Sequence, residues 1–332
     1  MRLERTSDDR PSLSIVAPCF NEVESLPTFV ERATQACVTA GVGDFELVLV
    51  NDGSDDRTWE TICELASRQS GIVGVNLARN YGHQLAASAG LSLCRGDRVL
   101  LIDADLQDPP ELLAALMSRM DEGYDVVYAR RRKRPQESAF KLGAASAFYR
   151  VLDALSEVRI PVEVGDFRLM TRRVVDRLNA LPESDRFIRG MVAWLGGRQA
   201  ELLYDREPRF AGQTGYTLAK MLRLAAAGIT SFSTAPLRLA IWFAGLGALV
   251  AGGLILYILI GFLVGRTTPG WTSLALMTAF FGIGQFACMA IIGAYLGRVF
   301  VQVKGRPLFY VDEIVGSPIG SPLQATRARR AD

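Results

Sequence analysis

The chain has 332 residues, with 37 Lys and Arg against 35 Asp and Glu; a net charge of +2 excludes nothing by itself, its distribution matters more, and no nucleic-acid partner is expected. Its five cysteines, Cys19, Cys37, Cys63, Cys94 and Cys288, form no C-x-x-C pair, which excludes a zinc module and fits a reduced, cytosolic compartment. The length allows one large domain or two ordinary ones.

In chain order, short apolar runs alternate with amphipathic segments. S-I-V-A at 14 precedes a helical pattern from Glu22. E-L-V-L-V at 46 precedes one from about Asp55, V-G-V-N-L at 73 one from about His83, and V-L-L-I at 99 one from Pro110; D-V-V-Y follows at 125. Such alternation predicts βαβ units and a mostly parallel sheet with helices on both faces. No strand leads into G-x-G-x-x-G and no G-x-x-x-x-G-K-[ST] occurs, which disfavours a dinucleotide enzyme or a P-loop NTPase.

Ligands of open parallel sheets bind at the carboxyl ends of strands. Three polar clusters fall at such ends: P-C-F-N-E at 18, N-D-G-S-D-D at 51 and D-A-D-L-Q-D at 103. Asp103 and Asp105 are two residues apart, so an extended backbone would turn both carboxylates to one side. Two converging anions call for a cation between them, and a hard divalent ion such as Mg²⁺ or Mn²⁺, completed by phosphate oxygens, is the natural choice, with Gln107 as a neutral ligand. D-x-D alone also reads as an Asp-rich helix cap.

The block R-R-R-K-R at 130–134 reads either as a membrane-attracted surface or, at Arg131, as a phosphate clamp just past a strand end. His83, the only histidine, follows R-N-Y-G at a helix start. With no second metal-type ligand beside it, capping is preferred to a diphosphate contact.

Residues 216–236, with Lys220 and Arg223 on one side of an apolar segment, suit a helix lying in the membrane interface or one packed on the domain. Beyond them Leu239–Gly265 and Thr267–Gly297 each hold more than 25 residues without a formal charge. As helices they would reach roughly 40 Å, against a hydrocarbon core of about 30 Å, so two transmembrane helices are predicted. Lys220, Arg223 and Arg238 precede the first span, Arg298, Lys304 and Arg306 follow the second, and the connecting turn holds only Arg266. That asymmetry places both ends in the cytoplasm, with the protein multi-pass in the inner (cytoplasmic) membrane. Gly245, Gly247, Gly282 and Gly284 would permit close helix contacts but leave the oligomeric state open; a homo-oligomer, with a tetramer among the options, is the expectation. The tail after Pro318 reads as disordered.

S-I-V-A-P-C-F-N-E, V-N-D-G-S-D-D-R-T, D-A-D-L-Q-D-P-P-E, D-V-V-Y-A-R-R, G-D-F-R-L-M and R-F-I-R-G-M-V-A-W together resemble the family-2 glycosyltransferases that move a sugar from a nucleotide to a polyprenyl phosphate. The likeness spans residues 12 to about 310. It is nearest to bacterial bactoprenol-phosphate glucosyltransferases and extends to dolichyl-phosphate mannose synthase.

The resemblance implies a GT-A α/β catalytic domain over 1–215, an interface helix over 216–236, a two-helix anchor over 237–300 and a cytoplasmic tail over 301–332. It implies that Pro18, Phe20, Glu22, Asp52 and Asp103 contact the nucleotide and that Asp103, Asp105 and Gln107 hold metal and diphosphate. Arg131 and Lys141 would meet the lipid phosphate. Asp166 matches a residue proposed as base, with Asp105 and Arg168 beside it in the chemistry.

A lipid phosphate with a second pKa near 6 is already mostly a dianion, so orientation of Arg168 or of sugar hydroxyls stands as the alternative role of Asp166. Asn51 stands where many relatives carry Asp, and Gly215 where many carry Lys. The implied reaction is inverting transfer of a hexose, glucose from UDP-glucose first, to undecaprenyl phosphate. Transfer to a lipid or glycan hydroxyl, and a non-catalytic membrane partner, are the competing readings.

Overall fold

The computed structural model describes residues 11–132, 164–205, 235–264 and 270–316. They divide into an α/β unit, which includes the chain from Pro307 onward, and a helical unit that ends at Arg306.

The five strands expected from the sequence form: β1 (Leu13–Cys19), β2 (Phe45–Asn51), β3 (Ile72–Leu77), β4 (Arg98–Leu101) and β5 (Val126–Arg131). β1 is buried at all seven positions, which explains its unbroken apolar run: both faces are covered, so alternation has no use. Three more strands complete an eight-stranded sheet: β6 (Val164–Thr171), β7 (Gln199–Tyr204) and β8 (Val311–Val315). The order is β7-β5-β6-β4-β1-β2-β3-β8. β4, β1, β2 and β3 run parallel, and β5 runs parallel to β7. β6 is antiparallel to both β4 and β5, and β8 is antiparallel to β3. The sheet is thus mixed and mostly parallel, a GT-A-like α/β arrangement.

The helices α1 (Leu26–Thr39), α2 (Thr58–Arg68), α3 (His83–Leu93) and α4 (Leu113–Asp121) connect the parallel strands, and α5 (Arg172–Ala180) and α6 (Ile188–Leu195) follow β6. α1 buries Leu26, Phe29, Val30, Ala33, Ala36 and Cys37, a stripe at helical spacing that faces the sheet. α3 lies closer still. A Cβ on Gly90 would collide with the side chain of Val16, so only glycine lets this helix settle on β1 and β2.

Antiparallel insertion of β6 has a consequence for the site. Its Arg168 pairs with Leu101, the last residue of β4, so Gly165 and Asp166 project past the end of β4 on the side where the parallel strands finish. Strand β8 lies in the stretch expected to be only a tail. It pairs with β3 from Gly74 to Leu77, and Ala78 N–H donates to the Tyr310 carbonyl at 3.0 Å.

The helical unit contains α7 (Ala235–Leu263) and α8 (Trp271–Val303). Phe280–Val303, 24 residues with a mean hydropathy of 1.7, is long and apolar enough to cross a membrane. Gly247 lies where a Cβ would touch the Phe281 ring at 3.5 Å, a close approach of the two helices that small residues permit. The segment 206–234, which includes Gly215, together with Lys141 and the tail after Pro318, lies outside the described residues.

Candidate active site

A cleft of about 270 Å³ opens at the carboxyl ends of β1, β2 and β4, lined by Pro18, Phe20, Glu22, Asp52, Asn80, His83, Asp103 and Asp105 among others. All three polar clusters noted in the sequence reach it. Asn21 adopts φ +56°, turning the chain sharply past the end of β1. The loop after β2 packs on the one after β3, and a Cβ on Gly53 would strike the backbone of Asn80, so this contact also requires glycine.

Asp52 is buried and accepts the N–H groups of Tyr81 at 2.7 Å and Gly82 at 2.9 Å. Burial raises its pKa, and those two donors offset part of the rise. One carboxylate therefore both faces the cleft and fixes the loop that carries Asn80. Asn51 donates to Asn76 Oδ1 at 2.7 Å and accepts from Ser54, so the neutral residue at this position is fully engaged across β2 and β3. The Cys19 thiol is driven upward by burial and stays protonated, which removes it as a nucleophile.

Asp103 and Asp105 reach one cleft by a route other than strand alternation. β4 stops at Leu101, Ile102 N–H gives a last ladder bond to Val16 O at 3.1 Å, and residues 104–108 turn. Leu106 takes φ +59°, and Gln107 N–H donates to Asp105 Oδ1 at 3.1 Å, closing the turn on its own side chain. Gln107 is buried behind the turn and is not among the residues lining the cleft.

Asp103 Oδ1 is buried and accepts no hydrogen bond, with His83 Nε2 at 3.4 Å. Burial raises the Asp103 pKa to about 6 against the pull of His83. An orphaned carboxylate oxygen beside a second carboxylate fits a divalent cation whose remaining ligands come from substrate and water. Among the described residues no cluster of three His, Cys, Asp or Glu side chains forms a closed metal cage.

Asp166 is the most heavily contacted carboxylate of the site. It accepts from Gln84 Nε2 at 2.8 Å and Arg189 Nε at 3.0 Å, and meets His83 Nε2 at 3.1 Å and Arg168 Nη2 at 3.9 Å. Burial alone would raise its pKa, but His83, Arg189 and Arg168 outweigh it and hold the carboxyl well below the usual range. For His83 burial opposes the charge; the hydrogen bond to Asp166 and the nearby carboxylates prevail, and the pKa rises to about 9. The expected cap is corrected here: His83 opens α3 without a side-chain capping bond, and its ring instead bridges Asp166 and Asp103. Arg168 is buried, donates to the Gly165 and Asp166 carbonyls at 3.0 and 3.3 Å, and is lowered by burial to about 10.

Arg131 ends β5 and does not line the cleft. Its Nε donates to Tyr204 Oη at 3.1 Å, and its Nη2 stands 3.5 Å from Asp108 Oδ1. His83, Gln84, Arg189, Asp108 and Tyr204 were not assigned to the site from sequence. Arg189 lay inside the R-F-I-R-G motif and His83 was the sole histidine; Tyr204 carried no local signal.

The profile of the family described as glycosyl transferase family 2 matches residues 14–178. An uncharacterized glycosyltransferase of Synechocystis is 40% identical over 92% of this chain and 96% of its own length. A bactoprenol glucosyl transferase of Shigella phage SfII is 37% identical over 90% of this chain and 97% of its own. A solved mannosyltransferase from Pyrobaculum calidifontis, in complex with GDP-Man and Mn²⁺, matches 86% of this chain and 87% of that one, at 17% identity and a TM-score of 0.44. On the strength of the sequence matches, the chain belongs to glycosyl transferase family 2 and is a homologue of the bactoprenol glucosyl transferases.

Proposed function

We propose that the protein transfers a hexose, glucose first, from a UDP-sugar to polyprenyl phosphate at the cytoplasmic membrane face, with inversion at the anomeric carbon. The observation that carries this reading is the meeting of Asp103 and Asp105, one with an orphaned buried oxygen, in a cleft whose other walls are Pro18, Phe20, Glu22 and Asp52. Several relatives are bactoprenol glucosyl transferases, which supports the acceptor.

Phe20, 43% exposed, offers a ring face to a base, and Glu22 and Asp52 offer acceptors to base or ribose donors. Asp103 and Asp105 would hold Mg²⁺ or Mn²⁺, with Gln107 behind them. When bound, the cation supplies electrostatic stabilisation of the departing diphosphate. His83 Nε2, 3.4 Å from Asp103 Oδ1, sets a donor group in the same region.

The acceptor phosphate is a dianion near neutral pH and attacks without giving up a proton. Asp166, held far below the usual carboxylate range, is a poor base and serves instead to orient Arg168, Arg189 and the sugar hydroxyls. Arg131 and Lys141 are assigned to the acceptor phosphate. The helices α7 and α8 form a two-span anchor with both chain ends cytoplasmic.

The test incubates membranes containing the protein with radiolabelled UDP-glucose, other UDP-sugars and GDP-mannose, adding polyprenyl phosphate, diacylglycerol or ceramide. Label is expected in a mild-acid-labile polyprenyl lipid, and chelation or the double variant Asp103→Ala, Asp105→Ala should abolish it. Label in the diacylglycerol or ceramide product, or none from any donor, would reject the proposal.

A further inference from the structure

The turn that carries Asp103 and Asp105 ends in a third acid that the proposed reaction does not use. Asp108 is fully buried. Its Oδ1 accepts a hydrogen bond from the Tyr204 hydroxyl, and Arg131 Nη2 lies 3.5 Å from the same oxygen. Arg131 Nε in turn donates to that hydroxyl at 3.1 Å, so three side chains close a ring of contacts.

Register makes this ring a property of the sheet. Arg131 and Tyr204 are direct partners at the ends of the parallel strands β5 and β7, and Arg132 N–H extends the pairing to Tyr204 O at 2.9 Å. Tyr204 is 4% exposed, and its ring meets Phe167 edge-on with centroids 5.9 Å apart. Phe167 sits between Asp166 and Arg168, so the same tyrosine touches the wall that holds Asp166.

The turn is held in part by packing, since Ala104 and Leu106 are buried in the core. Leu106 sits in the left-handed region, which an L side chain rarely adopts, and Gln107 N–H donates to Asp105 Oδ1 within the turn. A carboxylate that must meet a cation needs its orientation set by groups outside the first layer of ligands.

We propose that Tyr204 is a positioning residue: its hydroxyl, aligned by Arg131, fixes Asp108 and through it the 103–108 turn, so that β5 and β7 set the geometry in which Asp103 and Asp105 receive the divalent cation. The inference rests on the reading that these two acids hold that cation. It gives Arg131 a second duty, which makes an alanine at this position an ambiguous test of phosphate binding.

The experiment uses the full chain in zwitterionic nanodiscs and follows Mn²⁺ binding alone by the electron paramagnetic resonance signal of the free ion, so turnover is not the readout. Tyr204→Phe keeps the ring and its contact with Phe167 and removes only the hydroxyl. It is expected to weaken Mn²⁺ binding by about tenfold, the scale seen when an outer partner of a metal ligand is lost. Asp108→Asn, which retains an oxygen acceptor for the tyrosine, should weaken it less than Tyr204→Phe. Activity of Tyr204→Phe at saturating Mn²⁺ should return to within about threefold of wild type, because the ligands themselves remain.

Unchanged Mn²⁺ affinity in Tyr204→Phe, with binding lost in Asp103→Asn, Asp105→Asn, would overturn the positioning role and leave the metal reading standing. Binding that persists in the doubly substituted protein would overturn both. Should Tyr204→Phe fail to fold, the ranking of Asp108→Asn between wild type and Asp108→Ala decides the question, and equal affinities for all three would refute the proposal.

Discussion

Asp166 and His83 form the electrostatic centre of the cleft. Two arginines and a charged imidazole surround one buried carboxylate, so deleting that carboxylate leaves like charges facing one another. Asp166→Asn is expected to lower stability by about 3 kcal/mol, read from denaturation of the detergent-solubilised chain, in the range found when one member of a buried ion pair is removed. Its rate should drop at every pH alike, with no acidic limb displaced; a pH–rate profile whose acidic limb vanishes in the variant would instead identify Asp166 as a base.

His83 has a signature of its own. Its folded pKa of about 9 exceeds the value of 6.5 for the free side chain, so its stabilising charge is fully present below pH 6.5 and is lost as pH rises through about 9. Thermal midpoints measured in chelator should therefore fall across that window in wild type and stay flatter in His83→Gln. A parallel decline in both proteins would contradict the ring's placement between Asp103 and Asp166.

At the scale of elements, α3 is the one whose placement is most demanding. Gly90 allows it to press on Val16 and Val50, and its first residues deliver His83 and Gln84 to Asp166. Gln84 also accepts from Ile188 N–H at 2.9 Å, joining the starts of α3 and α6. Gly90→Ala must push the helix off the sheet, and overpacking of this kind costs about 1–3 kcal/mol. The expected result is a lower melting temperature together with a weakened Asp166 contact, visible as a smaller difference between Gly90→Ala and the Gly90→Ala, Gln84→Ala double variant than between wild type and Gln84→Ala. Additive effects would show that helix position and the Gln84 bond are independent.

For the whole molecule, the helical unit has a surface that water would not tolerate. Trp242, Leu249 and Leu263 on α7 and Ile283 and Phe286 on α8 are each at least 70% exposed. Apolar display on this scale calls for lipid or another apolar cover. The protein is expected to stay with membranes through an alkaline carbonate wash. Phosphatase fusions after Pro269 should be active and those after Arg306 inactive, as the basic residues at the outer ends of the two helices require; the reverse pattern would invert the topology proposed for the anchor.

The sequence by itself determined the strands β1 to β5, the ends at which polar residues gather and the apolar length of the C-terminal helices. Each of these is written locally, as an unbroken buried run, a turn cluster or an uncharged stretch, and needs no knowledge of distant neighbours. Only the tertiary structure decided that β6 enters antiparallel between β4 and β5, that β8 closes the far edge against β3, and that a turn rather than an extended strand brings Asp103 and Asp105 together. His83 and Asp166 are 83 residues apart, and Tyr204 and Asp108 are 96 apart. Contacts at such separations arise from strand order and register, which no short pattern encodes, so the residues that line up behind the acids become visible only once the sheet has closed.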